Sequence, residues 1–277
     1  MSRIAQTLGV SRSNLIATSQ TKPVSRGKYQ RQGDTEAYGW IKHVVDARPT
    51  YGYRRVTALV NRLRQSEGLE NLNHKRVYRI MFKAGWLLQR HTAKRPERRH
   101  DGKVIAMRSN IRWCSDGLEF KCWNGEVVRA AFIMDTHDRE IISFTAVAKA
   151  GISGSDIRDI LLEAVEKRFE GLQVPNPIEL LTDNGSPYRA AATKQFVNQL
   201  GITSCFTPVA SPESNGVAEA FVKTFKRDYV SVKPVPDAET ALRLIKSWIE
   251  DYNEYHPHSG LKMRSPRQYI RALSSTA

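Results

Sequence analysis

From residue 110 onward, three apolar segments of strand length follow one another across short polar turns, and this succession narrows the possible folds more than any other feature. Residues 111–120 fit a strand. Residues 127–134 are almost wholly apolar, which suits an interior strand, and 141–147 make a third. Short connections make the three antiparallel neighbours. The pattern then changes. Ile157, Ile160, Leu161, Ala164 and Val165 recur at helical period across 155–169. Pro175 and Pro177 lead into a short apolar strand at 178–181, followed by a helix near 192–200, a strand at 202–206 and a long helix from about Pro212. A final helix spans 236–255, before a Pro-punctuated tail. Strands in series, then strands alternating with helices, predict an α/β domain built on a mixed sheet flanked by helices.

Upstream the chain reads as helical. Residues 4–16 have the grammar of a helix-turn-helix: Ala5 and Leu8 form an apolar stripe, Gly9 turns the chain, Ser11 caps and Leu15 points inward. An ordinary helical hairpin fits the same thirteen residues. Residues 17–35 have linker composition. Across 51–86, Val56, Leu59, Val60 and Leu63 share one helical face, with Arg54, Arg55, Arg62 and Arg64 mostly on the other. A second helix sets Val77, Ile80, Met81 and Ala84 against a stripe of Arg76, Arg79 and Lys83. With Lys75, Arg54 and Arg55, this stripe suits contact with phosphates, although a solvated face would look similar. Residues 90–103 form a second, basic linker.

Charge supports the phosphate interpretation. Residues 1–100 carry 21 Lys and Arg against 6 Asp and Glu, whereas the remaining 177 carry 22 of each. The entire net charge of +15 therefore sits in the N-terminal third, as expected for a polyanion partner. Cys114, Cys122 and Cys205 are too few and too scattered for a disulfide framework or a zinc site, which fits a reducing, cytoplasmic setting. No apolar run approaches the ~18 residues needed to cross a membrane.

Three acidic residues stand where an α/β sheet places its chemistry. Asp116 lies within the first strand, Asp183 just beyond the strand at 178–181, and Glu219 in the helix opened by Ser211 and Pro212. Mg²⁺ prefers oxygen ligands and keeps several waters, and two such ions about 3.5–4 Å apart can clamp an in-line phosphoryl displacement. One shared carboxylate, Asp116, with Asp183 and Glu219 each holding one ion, is a minimal scaffold, and Mn²⁺ could substitute. Asp183 alone would be read as a turn residue, since Asp-Asn-Gly is strong turn chemistry. Glu119 and Asp135 could replace Asp116 if the strand register differs. Glu213 competes with Glu219, but it falls in the first helical turn, where an acid favours the helix dipole. His256 and His258 flank a proline with no cysteine nearby and fit packing better than metal binding; Trp113 and Trp123 fit core or sheet-face positions.

Thirty-five residues separate Asp183 from Glu219, and Lys226 stands two helical turns beyond Glu219, with Lys223 one turn along the same face. This arrangement resembles the Asp, Asp, 35-residue, Glu signature of transposases and retroviral integrases. Further stretches resemble the catalytic second-frame (OrfB-type) product of bacterial insertion sequences. They are Thr-Tyr-Gly-Tyr-Arg-Arg-Val at 50–56, Lys-Arg-Val-Tyr-Arg-Ile-Met at 75–81, Trp-Cys-Ser-Asp at 113–116, Leu-Thr-Asp-Asn-Gly-Ser at 181–186, Ser-Pro-Glu-Ser-Asn-Gly at 211–216, Tyr-Asn-Glu-Tyr-His-Pro-His-Ser at 252–259 and Arg-Ser-Pro-Arg at 264–267.

The resemblance implies an RNase H-like core and metal-dependent cleavage and strand transfer of transposon-end and target DNA. It also implies homo-oligomers on DNA and, commonly, fusion by frameshifting to an upstream-frame product that adds a helix-turn-helix and a coiled coil. The expected division is a partial helix-turn-helix and linker at 1–35, a basic helical DNA-binding domain at 36–90, a basic linker at 91–107 and the catalytic core at 108–230. Residues 231–277 would complete the core with a helix and tail. Two other classes stay open at this point: a related nuclease that cuts without joining, and a non-catalytic DNA-binding regulator.

Overall fold

The computed structural model describes residues 2–7, 9–13, 16, 32–89, 106–148, 151–207 and 215–275. The chain divides into two units, one ending at Gly39 and the other beginning at Trp40. In the first, a short helix α1 (Ser2–Thr7) buries Ala5, and Gly9 adopts a φ of 61°, the left-handed turn expected there. Leu8 and Leu15, the other apolar positions of the expected helix-turn-helix, lie outside the described residues, as do most of both linkers.

Helix α2 (Asp34–Ala47) runs across the boundary between the units. The helices α3 (Tyr53–Ser66) and α4 (His74–Lys83) form where the apolar period places them. Val56 and Val60 of α3, and Val77, Ile80 and Met81 of α4, are buried. Asn73 caps α4 by accepting a hydrogen bond from the Lys75 amide at 2.8 Å.

The sheet comprises β1 (Arg112–Lys121), β2 (Val127–Asp135), β3 (Ile141–Val147), β4 (Ile178–Thr182) and β5 (Ile202–Phe206), in the order β3-β2-β1-β4-β5. The first three pair antiparallel, whereas β4 and β5 run parallel to β1. β1 is therefore the central strand. Alternation along β2 explains the layering. Val128, Ala130, Phe132 and Met134 face one way, packing on α8 (Gly216–Phe225) and α9 (Ala238–Glu254). Ala131 and Ile133 face the other, packing on α5 (Gly154–Phe169) and α7 (Ala191–Gln199). Between β4 and α7 a single turn, α6 (Ser186–Arg189), places Tyr188 in the second layer.

Caps fix where these helices begin. Ser153 and Asp156 form a reciprocal capping box on α5, and Asp237 accepts from the Thr240 amide at 2.8 Å on α9. A π-helical turn (Lys226–Val230) follows α8 directly. The tail expected as irregular contains a further helix, α10 (Pro266–Ser274), started by a Ser265/Gln268 capping box with Pro266 in its first turn. Trp113 is fully buried against Phe169, but Trp123 lies beyond the end of β1 and is 73% exposed, so it does not contribute to the core.

Candidate active site

Register brings the first two carboxylates together. Cys114 of β1 pairs with Leu181 of β4, and Asp116 and Asp183 each stand two residues further along. Both share the parity of a residue in the layer that holds α8, which carries Glu219 in its first turn. Asp183 is exposed beyond the strand end and Glu219 is half-buried.

The charges reach one another. Partial burial, opposed by a hydrogen bond from the Gly117 amide at 2.8 Å, raises Asp116 to about 6, and the negative charges of Asp183 and Glu219 push the same way. Among the described residues, no three His, Cys, Asp or Glu side chains close into a cage that could grip an ion unaided. Glu219 takes Lys223 as its counterion, Oε2 to Nζ at 3.0 Å. An exposed pair of this sort is worth less than about 1 kcal/mol, so releasing Glu219 costs little. The three side chains offer oxygen donors alone, without sulfur or imidazole, the donor chemistry that suits Mg²⁺.

Three elements are tied at Ser115, the residue before Asp116. Its hydroxyl shares a 2.7 Å hydrogen bond with Tyr188 of α6, and its carbonyl accepts from Asn215 at 3.3 Å, at the start of α8. A fully buried serine thus links the strand of Asp116, the turn after Asp183 and the helix of Glu219. Asp183 is further held by Gly185, whose amide donates to Oδ1 at 3.0 Å. A Cβ on Gly185 would lie 2.9 Å from that same oxygen. The sequence signals were incomplete here. Ser115, Gly185 and Asn215 stood inside the quoted motifs without a role, and nothing local marked Tyr188.

The rival acids have other tasks. Asp135 is fully buried and caps the β2–β3 turn, accepting from the amides of Asn110, His137 and Asp138 at 2.6, 2.7 and 3.2 Å. Glu119 is paired with Arg129 at 3.1 Å on the neighbouring strand. Glu213 lies outside the described residues. Burial keeps His256 and His258 neutral, lowering His258 to about 3 and His256 well below its usual value, with Arg55 acting in the same direction.

The basic residues separate into two groups. Arg54, Lys75, Lys83, Lys223 and Lys226 are exposed, and Arg76 and Arg79 are half-buried. Arg55 was expected on a DNA-facing stripe but turns toward the core, donating to the fully buried Asp228 carboxylate at 3.2 Å. Two other arginines of α3 are also turned onto protein. Arg62 donates to the carbonyls of Tyr255 and Met263 at 2.8 and 2.7 Å, and Arg64 to that of Glu70 at 2.8 Å. At Arg55 and Arg62 the polar face of α3 is covered by later segments of chain, which a helical wheel drawn for that helix alone does not register.

Comparison with known proteins identifies the family. Models of the integrase core domain match residues 106–212 and 200–266, and a model of an HTH-like domain matches residues 32–94. The catalytic core domain of BIV integrase is similar with a TM-score of 0.42 and 17% identity, covering 60% of this chain and 98% of that one. The insertion element IS136 protein of Agrobacterium tumefaciens (strain T37) is 68% identical over 188 residues, 68% of this chain and 96% of that protein. The InsD transposase of insertion element IS2 from Escherichia coli is 47% identical over 274 residues, 98% of this chain and 91% of that protein. With nearly half its residues shared across nearly its full length, this chain belongs to the insertion-sequence transposases that carry an integrase core.

Proposed function

We propose that Asp116, Asp183 and Glu219 are the catalytic and metal-holding residues of a DDE-type DNA transposase. The observation that carries this is the register and its ties: Asp116 and Asp183 stand two residues beyond the paired Cys114 and Leu181, and Ser115 bonds both to Tyr188 after Asp183 and to Asn215 at the start of the helix of Glu219. Asp116, on the central strand, would be the shared ligand, and Asp183 and Glu219 would each hold one ion. When bound, a pair of divalent cations, Mg²⁺ or Mn²⁺ in its place, supplies Lewis-acid polarisation of the phosphodiester and a more acidic water.

The protein's own groups do the rest. Ionised Asp116, Asp183 and Glu219 fix the donor geometry, while Lys223 and Lys226 meet DNA phosphate beside it. In the first step a water oxygen bonds to phosphorus and the bond to the 3′-oxygen breaks, leaving a 3′-hydroxyl. In the second, that hydroxyl oxygen bonds to a phosphorus of target DNA and displaces a second 3′-oxygen. Neither step requires a Tyr or Ser nucleophile.

The exposed cations of α3 and α4, in the HTH-like stretch, make the accompanying DNA contacts: Arg54, Lys75 and Lys83, with Arg76 and Arg79 at the edge. Residues 36–90 form the DNA-binding domain, 91–107 a basic linker, and 108–230 with 231–277 the catalytic core. Assembly on DNA is homo-oligomeric, and fusion to an upstream-frame product supplies end recognition.

The test uses a labelled duplex carrying the element's own end, with each of Asp116→Asn, Asp183→Asn and Glu219→Gln. Each variant is expected to lose metal-dependent cleavage and joining by at least about a hundredfold, since even groups outside the ligand shell contribute about 10–100-fold. Full activity in any one variant would remove that residue from the set. Cleaved ends without joined products would identify a nuclease instead.

A further inference from the structure

Helix α4 has a second stripe beside its cations. His74, Tyr78 and Phe82 recur every four residues on one face, and all are exposed, Phe82 by 66% and Tyr78 by 37%. Tyr53 of α3 joins them. Its ring lies 6.4 Å from His74 and 5.1 Å from Tyr78, and Tyr78 is near-parallel to Phe82 at 15° and 6.4 Å. The guanidinium of exposed Arg54 sits over Tyr53 at 5.6 Å, and exposed Lys75 lies next to His74. The buried side chains Val77, Ile80 and Met81 anchor the helix inward from its other face.

From this ladder we infer a binding site for unpaired bases of DNA, lying on α3 and α4, elements that carry none of the three carboxylates. In a duplex, base faces are covered by their stacked neighbours, leaving edges and phosphates. A row of exposed rings therefore finds its complement where bases have come unpaired. Every base has a π-face, so such a row is tolerant of sequence, and the flanking cations suit the accompanying backbone. Charge favours this occupant over a second protein surface, since the whole net charge of +15 falls within residues 1–100. The inference rests on the DNA reading above and refines it. These rings would hold a strand whose bases have come unpaired.

Fluorescence anisotropy of the full chain against three labelled probes of one sequence tests it: a blunt duplex, a fork with a few unpaired nucleotides at one end, and a single strand. Phe82→Ala is expected to weaken fork and single-strand binding about tenfold while leaving the blunt duplex unchanged. Phe82→Leu should lose as much, because it keeps apolar bulk without a ring, and Phe82→Trp should retain binding. Circular dichroism melting checks that each variant folds, which the exposure of Phe82 favours. Equal loss on all three probes, no loss on any, or retention by Phe82→Leu would each overturn the proposal. So would a Phe82-dependent fall in oligomer mass without DNA, which would assign the face to a second copy of the chain. Wild-type protein that binds none of the probes would refute DNA binding itself, an outcome distinct from failure of the ladder.

Discussion

At the scale of single residues, the most consequential position outside the three acids is Gly185. Its φ of −58° is ordinary, so its need for glycine comes from space: an added Cβ would press on the Asp183 carboxylate. Gly185→Ala should lower metal-dependent cleavage by about 10–100-fold while shifting the melting temperature little, as disturbing a ligand's support does elsewhere. Asp116 predicts a pH effect. Its carboxyl is raised from 3.8 to about 6, so folding favours the protonated form. Its contribution to stability is present below pH 3.8 and is lost as pH rises through 6. Asp116→Asn should match the wild type at pH 4 in urea unfolding and exceed it by about 2 kcal/mol at pH 7. Ion binding has the opposite sign, since it requires the ionised form; magnesium affinity should fall below pH 6, and binding near that pH should release protons in calorimetry across buffers. The three acids are proposed from a resemblance whose 35-residue interval can be counted along the sequence. Ser115, Tyr188 and Asn215 were not legible there, because their hydrogen bonds join residues that only the sheet register brings together.

At the scale of elements, docking of α3 on the core turns on buried charge. Arg55 reaches Asp228 in the π-helical turn, and Arg48 of the same region is bound by Asp251 of α9, at 2.8 Å through Oδ2. The Tyr51 hydroxyl and His256 Nδ1 share a 2.7 Å hydrogen bond between these salt bridges. Asp228→Ala should cost about 3 kcal/mol in chemical denaturation, because it leaves Arg55 half-buried without its partner. The strands were legible to within about a residue, since alternation and apolar runs report directly on a sheet buried on both faces. Helix α10 was announced by Ser265, Pro266 and Gln268, yet Pro257 and Pro266 together suggested a loose tail. The arginines of α3 misled for a different reason. Amphipathic patterns assume water beyond the polar face, and here residues some 190 to 200 positions later occupy it.

At the scale of the molecule, the chain joins a polycation to an electrically balanced catalytic region. DNA affinity should fall steeply with salt, and Lys75→Ala or Lys226→Ala should each reduce the slope of log affinity against log salt by about one unit, measured by anisotropy across a salt series. No helix among the described residues is long and apolar enough to cross a membrane. The central place of β1 sets two clocks within the site. Trp113 and Cys114 are paired with strands on both sides, so their amides should exchange deuterium only when the sheet itself opens. The Gly185 amide is tied by one bond to an exposed carboxylate and should exchange through local opening alone. An ion gripping all three acids would bring the fast clock toward the slow one, turning an adaptable rim into part of the rigid sheet.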